Sequence, residues 1–278
     1  MLVWACIAPH GGELIPELAN GTLARMERTR EAMCALGSRC QAAGPETIVV
    51  FTPHGLAIPG YVSVSVGRKA AGTVDGENGG RIASMFRIDG DLASEICISA
   101  ATRNVPTVQA AFDRQGKPVE YLPLDWGALV PLWFMGARWD SVPEIVVVCP
   151  DRSLPRRNLI AFGRATADAA EKSPKRIALI CSGDQGHGHG SDGPYGFARE
   201  SASYDRAYCL AVAEGNIDRM IHWRSDWIEA AMPDSYWQTL MLHGVLQQVP
   251  MNPVMLSYEA PTYFGMACVA YERSLLPP

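Results

Sequence analysis

The chain contains no apolar run approaching the roughly 18 residues that cross a bilayer, so no membrane span is expected and a membrane is not among its expected partners. It has no basic surplus either. Lys and Arg number 24 against 29 Asp and Glu, giving a net charge of −5. That balance argues against a general nucleic-acid binder, which carries a basic patch or stripe. The first residues, Met1-Leu2-Val3-Trp4, lead straight into a strand-like run with no basic segment or small-residue cleavage site. No signal peptide is therefore expected, and the expected location is cytoplasmic. The eight cysteines include no Cys-x-x-Cys pair, and several lie inside apolar runs. They read as reduced core residues rather than a disulfide framework or a thiolate zinc site. Histidine is scarce, with six copies, so its placement carries weight.

Core material is plentiful. Hydrophobic residues make up 48% of the chain and charged residues 19%, enough to bury a substantial core. Strand-length apolar runs cover Leu2–Ala8, Thr47–Thr52, Glu144–Cys149, Arg176–Cys181 and Met266–Tyr271. Most lack strict alternation, as strands buried on both faces do. Helical patterns cover Leu23–Ala42, Asn158–Glu171, Ser201–Glu214, Ile217–Ala231 and Tyr236–Gln248. Strands alternating with helices predict an α/β fold with a largely parallel central sheet and helices on both faces. The Gly-rich stretch Val64–Arg87 reads as an irregular excursion or hairpin, and Val105–Trp126 resembles it. No low-complexity segment or linker divides the chain, so residues 1–278 are expected to form one domain.

Candidate chemistry gathers at strand ends. Ile7-Ala8-Pro9-His10-Gly11 echoes Phe51-Thr52-Pro53-His54-Gly55, and His187 also follows an apolar strand within a few residues. Ligands in open parallel sheets bind beyond the carboxyl ends of the strands, so three histidines are predicted to converge there and His10 and His54 to hold a divalent metal. Proline keeps the residue before it extended, and the following glycine admits a sharp turn and a close ligand. The segment Ser182-Gly183-Asp184-Gln185-Gly186-His187-Gly188-His189-Gly190 reads as a flexible loop. Its imidazoles could exchange protons near neutral pH, with Asp184 orienting one of them. His222 and His243, in helical stretches, read as structural. Two histidines with one carboxylate form the open facial arrangement of non-haem Fe(II) oxygenases. Glu13, Asp125, Asp151, Asp234 and Glu259 are the carboxylates on offer. Local chemistry alone reads Asp234, just ahead of a helix, as an N-cap. Trp126, Trp133, Tyr195 and Phe197 read equally as a pocket for a flat ring or as packing.

These motifs, together with Asp192-Gly193-Pro194-Tyr195-Gly196, Leu124-Asp125-Trp126-Gly127 and Val130-Pro131-Leu132, resemble the class III extradiol ring-cleavage dioxygenases. The catalytic beta subunit of protocatechuate 4,5-dioxygenase typifies that family, and the Memo proteins share its fold. The resemblance runs from about Leu2 to Leu246. It implies a catalytic domain of that beta-subunit type, with Fe(II), or alternatively Zn or Mn, bound by two histidines and a carboxylate. His10 and His54 match the metal histidines and His187 the acid/base residue, while Asp184 and His189 join the catalytic set from the same loop. Asp234-Ser235-Tyr236-Trp237 stands where the family places its carboxylate. The resemblance thus makes Asp234 the preferred third ligand and Glu259 the fallback.

Two departures stand out. The ligand is Asp rather than the common Glu, and Trp126 replaces the histidine of an Asp-His-Gly motif. The implied reaction is cleavage of a catechol-type ring with O2, and the implied partners are that aromatic molecule, O2 and either a homo-oligomer or a small second subunit. The rival readings are a metal-dependent hydrolase and a Memo-like protein that binds metal or a partner without ring cleavage.

Overall fold

Four almost wholly buried strands set the architecture. They are β1 (Leu2–Ala8), a strand at Thr47–Phe51, one at Glu144–Pro150 and one at Ile177–Ser182, the regions where the sequence predicted them. The computed structural model describes residues 1–19, 21, 23–111, 113–114, 117–118 and 121–273. After β1 come α1 (Glu27–Ala43), β2 (Thr47–Phe51), β3 (Val62–Ser65), β4 (Lys69–Asp75), β5 (Arg81–Arg87), α2 (Gly90–Thr102) and β6 (Thr107–Ala110). Three two-residue strands follow: β7 (Asp113–Arg114), β8 (Lys117–Pro118) and β9 (Leu122–Pro123). Then come α3 (Trp126–Phe134), β10 (Glu144–Pro150), α4 (Arg156–Lys172), β11 (Ile177–Ser182), α5 (Arg199–Ala213), α6 (Ser225–Ala231), α7 (Tyr236–Gln248), β12 (Met251–Glu259) and β13 (Met266–Arg273).

The main sheet has eight strands in the order β12-β13-β1-β11-β2-β10-β3-β6. Its centre, β1-β11-β2-β10, is parallel, whereas β13 and β3 join it antiparallel. The largely parallel prediction thus holds for the middle of a mixed sheet. Side chains alternate between two cores. Ile7, Val49, Phe51 and Leu179 face one layer with α2, α4, α5 and α7. Cys6, Ile48, Val50 and Ile180 face the other, with α1 and α3. Burial of both faces explains the continuous apolar runs.

The register fixes where the strands end. Ala8 pairs with Ser182, and Phe51 pairs with Cys181. The loops carrying His10, His54 and Asp184–His187 therefore leave one edge of the sheet at nearly the same height.

The Gly-rich stretch after Val64 resolves into the β4–β5 hairpin, of the two forms the sequence left open. Within Val105–Trp126, residues 112, 115, 116, 119 and 120 lie outside the described residues. The single helix expected at Ile217–Ala231 is instead a 3-10 turn at Ile217–His222 followed by α6. All eight cysteines are free, and no helix of the described residues is long and apolar enough to cross a membrane.

A candidate metal centre at the strand ends

His10 enters the site from the end of β1. Its backbone N–H donates to Asp184 Oδ1 (3.3 Å), and its Nδ1 lies 3.0 Å from Ser182 Oγ. The Ser182 hydroxyl itself donates to the Gly127 carbonyl at 2.5 Å. That donation leaves the Ser182 oxygen to accept from an Nδ1–H, so His10 Nε2 is the nitrogen free to bind a ligand. His54 stands opposite, its ring stacked on Trp126 with centroids 4.2 Å apart.

Asp234 arrives from the turn between α6 and α7. Its Oδ1 accepts from the Asp184 N–H at 2.7 Å, while the Asp184 carbonyl accepts from the N–H groups of Asp234 and Ser235, both at 3.2 Å. This reciprocal lock needs a glycine next to it, because a Cβ on Gly183 would lie 2.4 Å from Ser235 Cα. Asp234 makes no cap bond to its own helix, whose N-cap is Ser235. The N-cap expectation is therefore corrected: the carboxylate turns inward instead.

The result is a tight triangle of donors. His10 Nε2 and His54 Nε2 are 3.1 Å apart, and Asp234 Oδ2 is 3.3 Å from the first and 3.2 Å from the second. Bonds of about 2.1 Å to one ion at facial or tetrahedral angles place neighbouring donors about 3.0–3.4 Å apart. The residues therefore fit a bound metal in both type and spacing. Asp184 and His187 adjoin the triangle, their ligand atoms within 4.8 Å of each other and of Asp234.

The electrostatics are those of a cation site. Burial alone would lower the His10 pKa, but Asp184 and Asp234 outweigh it and raise it to about 9. Burial works to raise the Asp234 carboxyl, yet the charge and hydrogen bond of His10 and the bond from His54 hold it well below the ordinary carboxylate range. Asp184 moves the other way. Burial lifts its pKa, and the neighbouring Asp234 charge adds to that against the pull of His10. One more positive charge would relieve both carboxylates.

The triangle opens on a cleft of about 1090 Å³ that His187 also lines. The His187 ring stacks on Phe264 (5.7 Å) and meets Tyr195 edge-on (5.7 Å). Its Nδ1 is buried and has no hydrogen-bond partner among the described residues.

A model of the catalytic LigB subunit of aromatic ring-opening dioxygenases matches residues 5–269. The chain belongs to this LigB family. It is 24% identical over 266 residues to protein CA_C1420 of Clostridium acetobutylicum. That match covers 96% of this chain and 56% of the other, so the chain spans little more than half the length of that curated relative. A crystal structure of the uncharacterized protein JW3007 from Escherichia coli K12 shares the fold, with a TM-score of 0.59 at 17% identity over 96% of this chain and 99% of that one. Membership accounts for the fold, and the chain carries a His/Asp cluster suited to a metal.

Other predicted residues take different places. His189 is not among the residues that line the cleft, and its Nε2 bonds Asp205 Oδ2 at 2.7 Å. Its ring is thus engaged by a buried carboxylate that the sequence alone does not pair with it. Glu259 accepts from the Thr29 N–H (2.9 Å) and hydroxyl (2.5 Å) at the start of α1, so the fallback ligand is engaged elsewhere. Asp125 caps α3 and bonds Thr52, and Asp151 holds the turns at Gly60 and Ser153. Glu13 lines the cleft. His222 is exposed and His243 buried, and neither approaches the triangle. Trp126 and Tyr195 line the cleft, whereas Trp133 is packed beneath Arg138 and Phe134. Phe197 is 70% exposed and lies off the lining.

Sequence reasoning missed Arg152. Its guanidinium sits 4.8 Å above the Trp237 ring, and Trp237 Nε1 donates to its carbonyl at 2.8 Å. Both line the cleft, and no carboxylate of the described residues forms an ion pair with Arg152. Only the fold shows that a loop after β10 faces the second residue of α7, so no local signal marks it.

Proposed function

We propose that the protein is an Fe(II)-dependent extradiol dioxygenase that opens a catechol-type ring with O2. The donor triangle of His10, His54 and Asp234 carries this reading, because it is a facial two-histidine, one-carboxylate set at the floor of an open cleft in a LigB-family chain. When bound, Fe(II) would offer positions for the two ring oxygens and O2 and would make the ring hydroxyls more acidic.

The chain's own residues do the rest. His10 and His54 present Nε2 and Asp234 presents Oδ2. Trp126, 49% exposed and stacked on His54, forms a flat shelf at the cleft wall on which an aromatic ring can lie. His187 is the base for the second hydroxyl proton and returns it to the reduced oxygen. Its Nδ1 accepts or donates no hydrogen bond among the described residues, and its ring is seated between Phe264 and Tyr195. Asp184 orients His10 through its backbone N–H and balances its charge. Arg152, held against Trp237, is placed to receive an acidic substituent on the far side of the ring.

The test is to load the metal-free protein with Fe(II) or with Zn(II) and follow the near-visible absorbance of ring-opened product across catechols and aminophenols, with and without a carboxylate. Product with Fe(II) and O2 alone supports the reading. Turnover with Zn(II) and no O2 would indicate the hydrolase rival. A bound metal without turnover would favour a Memo-like binding role, to which the Asp ligand and Trp126 both lend weight.

A further inference from the structure

The segment from Gly183 to His189, read from sequence as flexible, is tied down along its whole backbone. Each of its backbone N–H groups has its own partner. Gly183 donates to the Ala8 carbonyl, Asp184 to Asp234, Gln185 to the Gly265 carbonyl, His187 to the Ala231 carbonyl and His189 to the Tyr263 carbonyl. Gly186 donates to Asp205 Oδ1 at 2.7 Å and Gly188 to Ser201 Oγ at 2.9 Å. The loop lies so close to α5 that a Cβ on Gly186 would sit 2.6 Å from Ser201 Cβ.

Asp205 is the hub of this arrangement. It is fully buried (0% exposed), and its carboxylate accepts three bonds: Gly186 N–H on Oδ1, and His189 Nε2–H (2.7 Å) and the Tyr258 hydroxyl (2.6 Å) on Oδ2. A carboxylate is costly to bury unless its oxygens are satisfied, and here the donors come from both sides of His187 and from β12. The bonds at Gly186 and His189 bracket His187 at both of its ends.

We infer that Asp205, with His189 and Tyr258 as its donors, is a positioning residue that fixes the His187 imidazole at the cleft. On this account His189 supplies a hydrogen bond and carries no proton in the reaction. The statement about catalysis rests on the function proposed above, whereas the statement about loop order does not.

Two readouts test it on the 278-residue chain. The first is hydrogen exchange of the loop amides. In Asp205→Asn they exchange faster by about tenfold or more while β11 and β2 amides keep their protection, and unchanged loop exchange overturns the inference. The second is steady-state kinetics on Fe(II)-loaded protein. Asp205→Asn and His189→Leu lower kcat by roughly 10–100-fold with bound metal and KM nearly unchanged. His189→Gln, which keeps a donor toward Asp205, stays within about threefold of wild type. Equal losses in His189→Gln and His189→Leu would make His189 a proton carrier and overturn the assignment. If wild type itself cleaves no ring while the loop loosens in Asp205→Asn, the proposed function fails and the positioning role stands.

Discussion

At the scale of single residues, the site is defined by where protons sit. In the metal-free protein, Asp184 and Asp234 raise the His10 pKa to about 9, so the imidazole is protonated at neutral pH. A metal binds only the neutral ring, so loading must displace that proton. Apparent metal affinity is therefore predicted to rise with pH between about 6 and 9, by about tenfold per unit for each proton released, and then to level off. A titration of Mn(II) binding across that range, read by electron paramagnetic resonance, checks the sign, and a flat profile would contradict it. Replacing His187 with Ala is predicted to leave metal content intact and to lower turnover by roughly 10²–10⁴-fold, as single-turnover kinetics would show. His10, His54 and His187 were legible because two Pro-His-Gly turns and a third His each close a strand run. Asp234 was less so. By local chemistry it is a helix cap, and only the fold turns its carboxylate inward to Asp184 and the two histidines. The partner of His189 was not legible, because Asp205 lies 16 residues away in sequence.

At the scale of elements, close packing between the β11 loop and the start of α7 places the ligand. Gly183→Ala puts a Cβ 2.4 Å from Ser235 Cα, next to Asp234. It is predicted to lower Tm and to reduce metal stoichiometry together, by a combined scan and metal assay, because moving Ser235 moves the carboxylate. Glu259→Ala is predicted to do the first without the second. It removes the acceptor for Thr29 at the start of α1, a loss of about 1–2 kcal/mol measurable by urea unfolding, with metal binding unchanged. Loss of metal in that variant would restore Glu259 as the ligand. The parallel strands were readable because burial on both faces leaves near-continuous apolar runs. Helices α2 and α3 were not. Helix α3 contains Gly127 and Pro131 and is apolar on every side, so it shows neither good helix propensity nor a 3.6-residue period. Strand β12 carries Pro253, which sequence reading takes as a strand breaker and which an edge strand tolerates.

At the scale of the whole molecule, a mixed sheet with two cores holds three strand ends level, and the α6–α7 turn closes over them. The register pairing Ala8 with Ser182 and Phe51 with Cys181 brings residues 10, 54 and 184–187 to one edge, and the LigB family match spans that frame. The cleft above it, with Trp126 on one wall and Arg152 against Trp237 on another, sets the expected substrate shape as a flat ring with an acidic tail. Arg152→Ala is accordingly predicted to raise KM for a carboxylated catechol by roughly 10-fold or more while leaving unsubstituted catechol nearly unaffected.

The central claim is that one ion held by His10, His54 and Asp234 carries the consumption of O2 by a ring diol. It is tested most directly by anaerobic reconstitution with Fe(II), followed by O2 uptake with a catechol panel in wild type and in His10→Ala. The account predicts one O2 consumed per ring opened in wild type and none in the variant. Uptake that survives in His10→Ala, or its absence in wild type carrying one bound Fe(II), would contradict it.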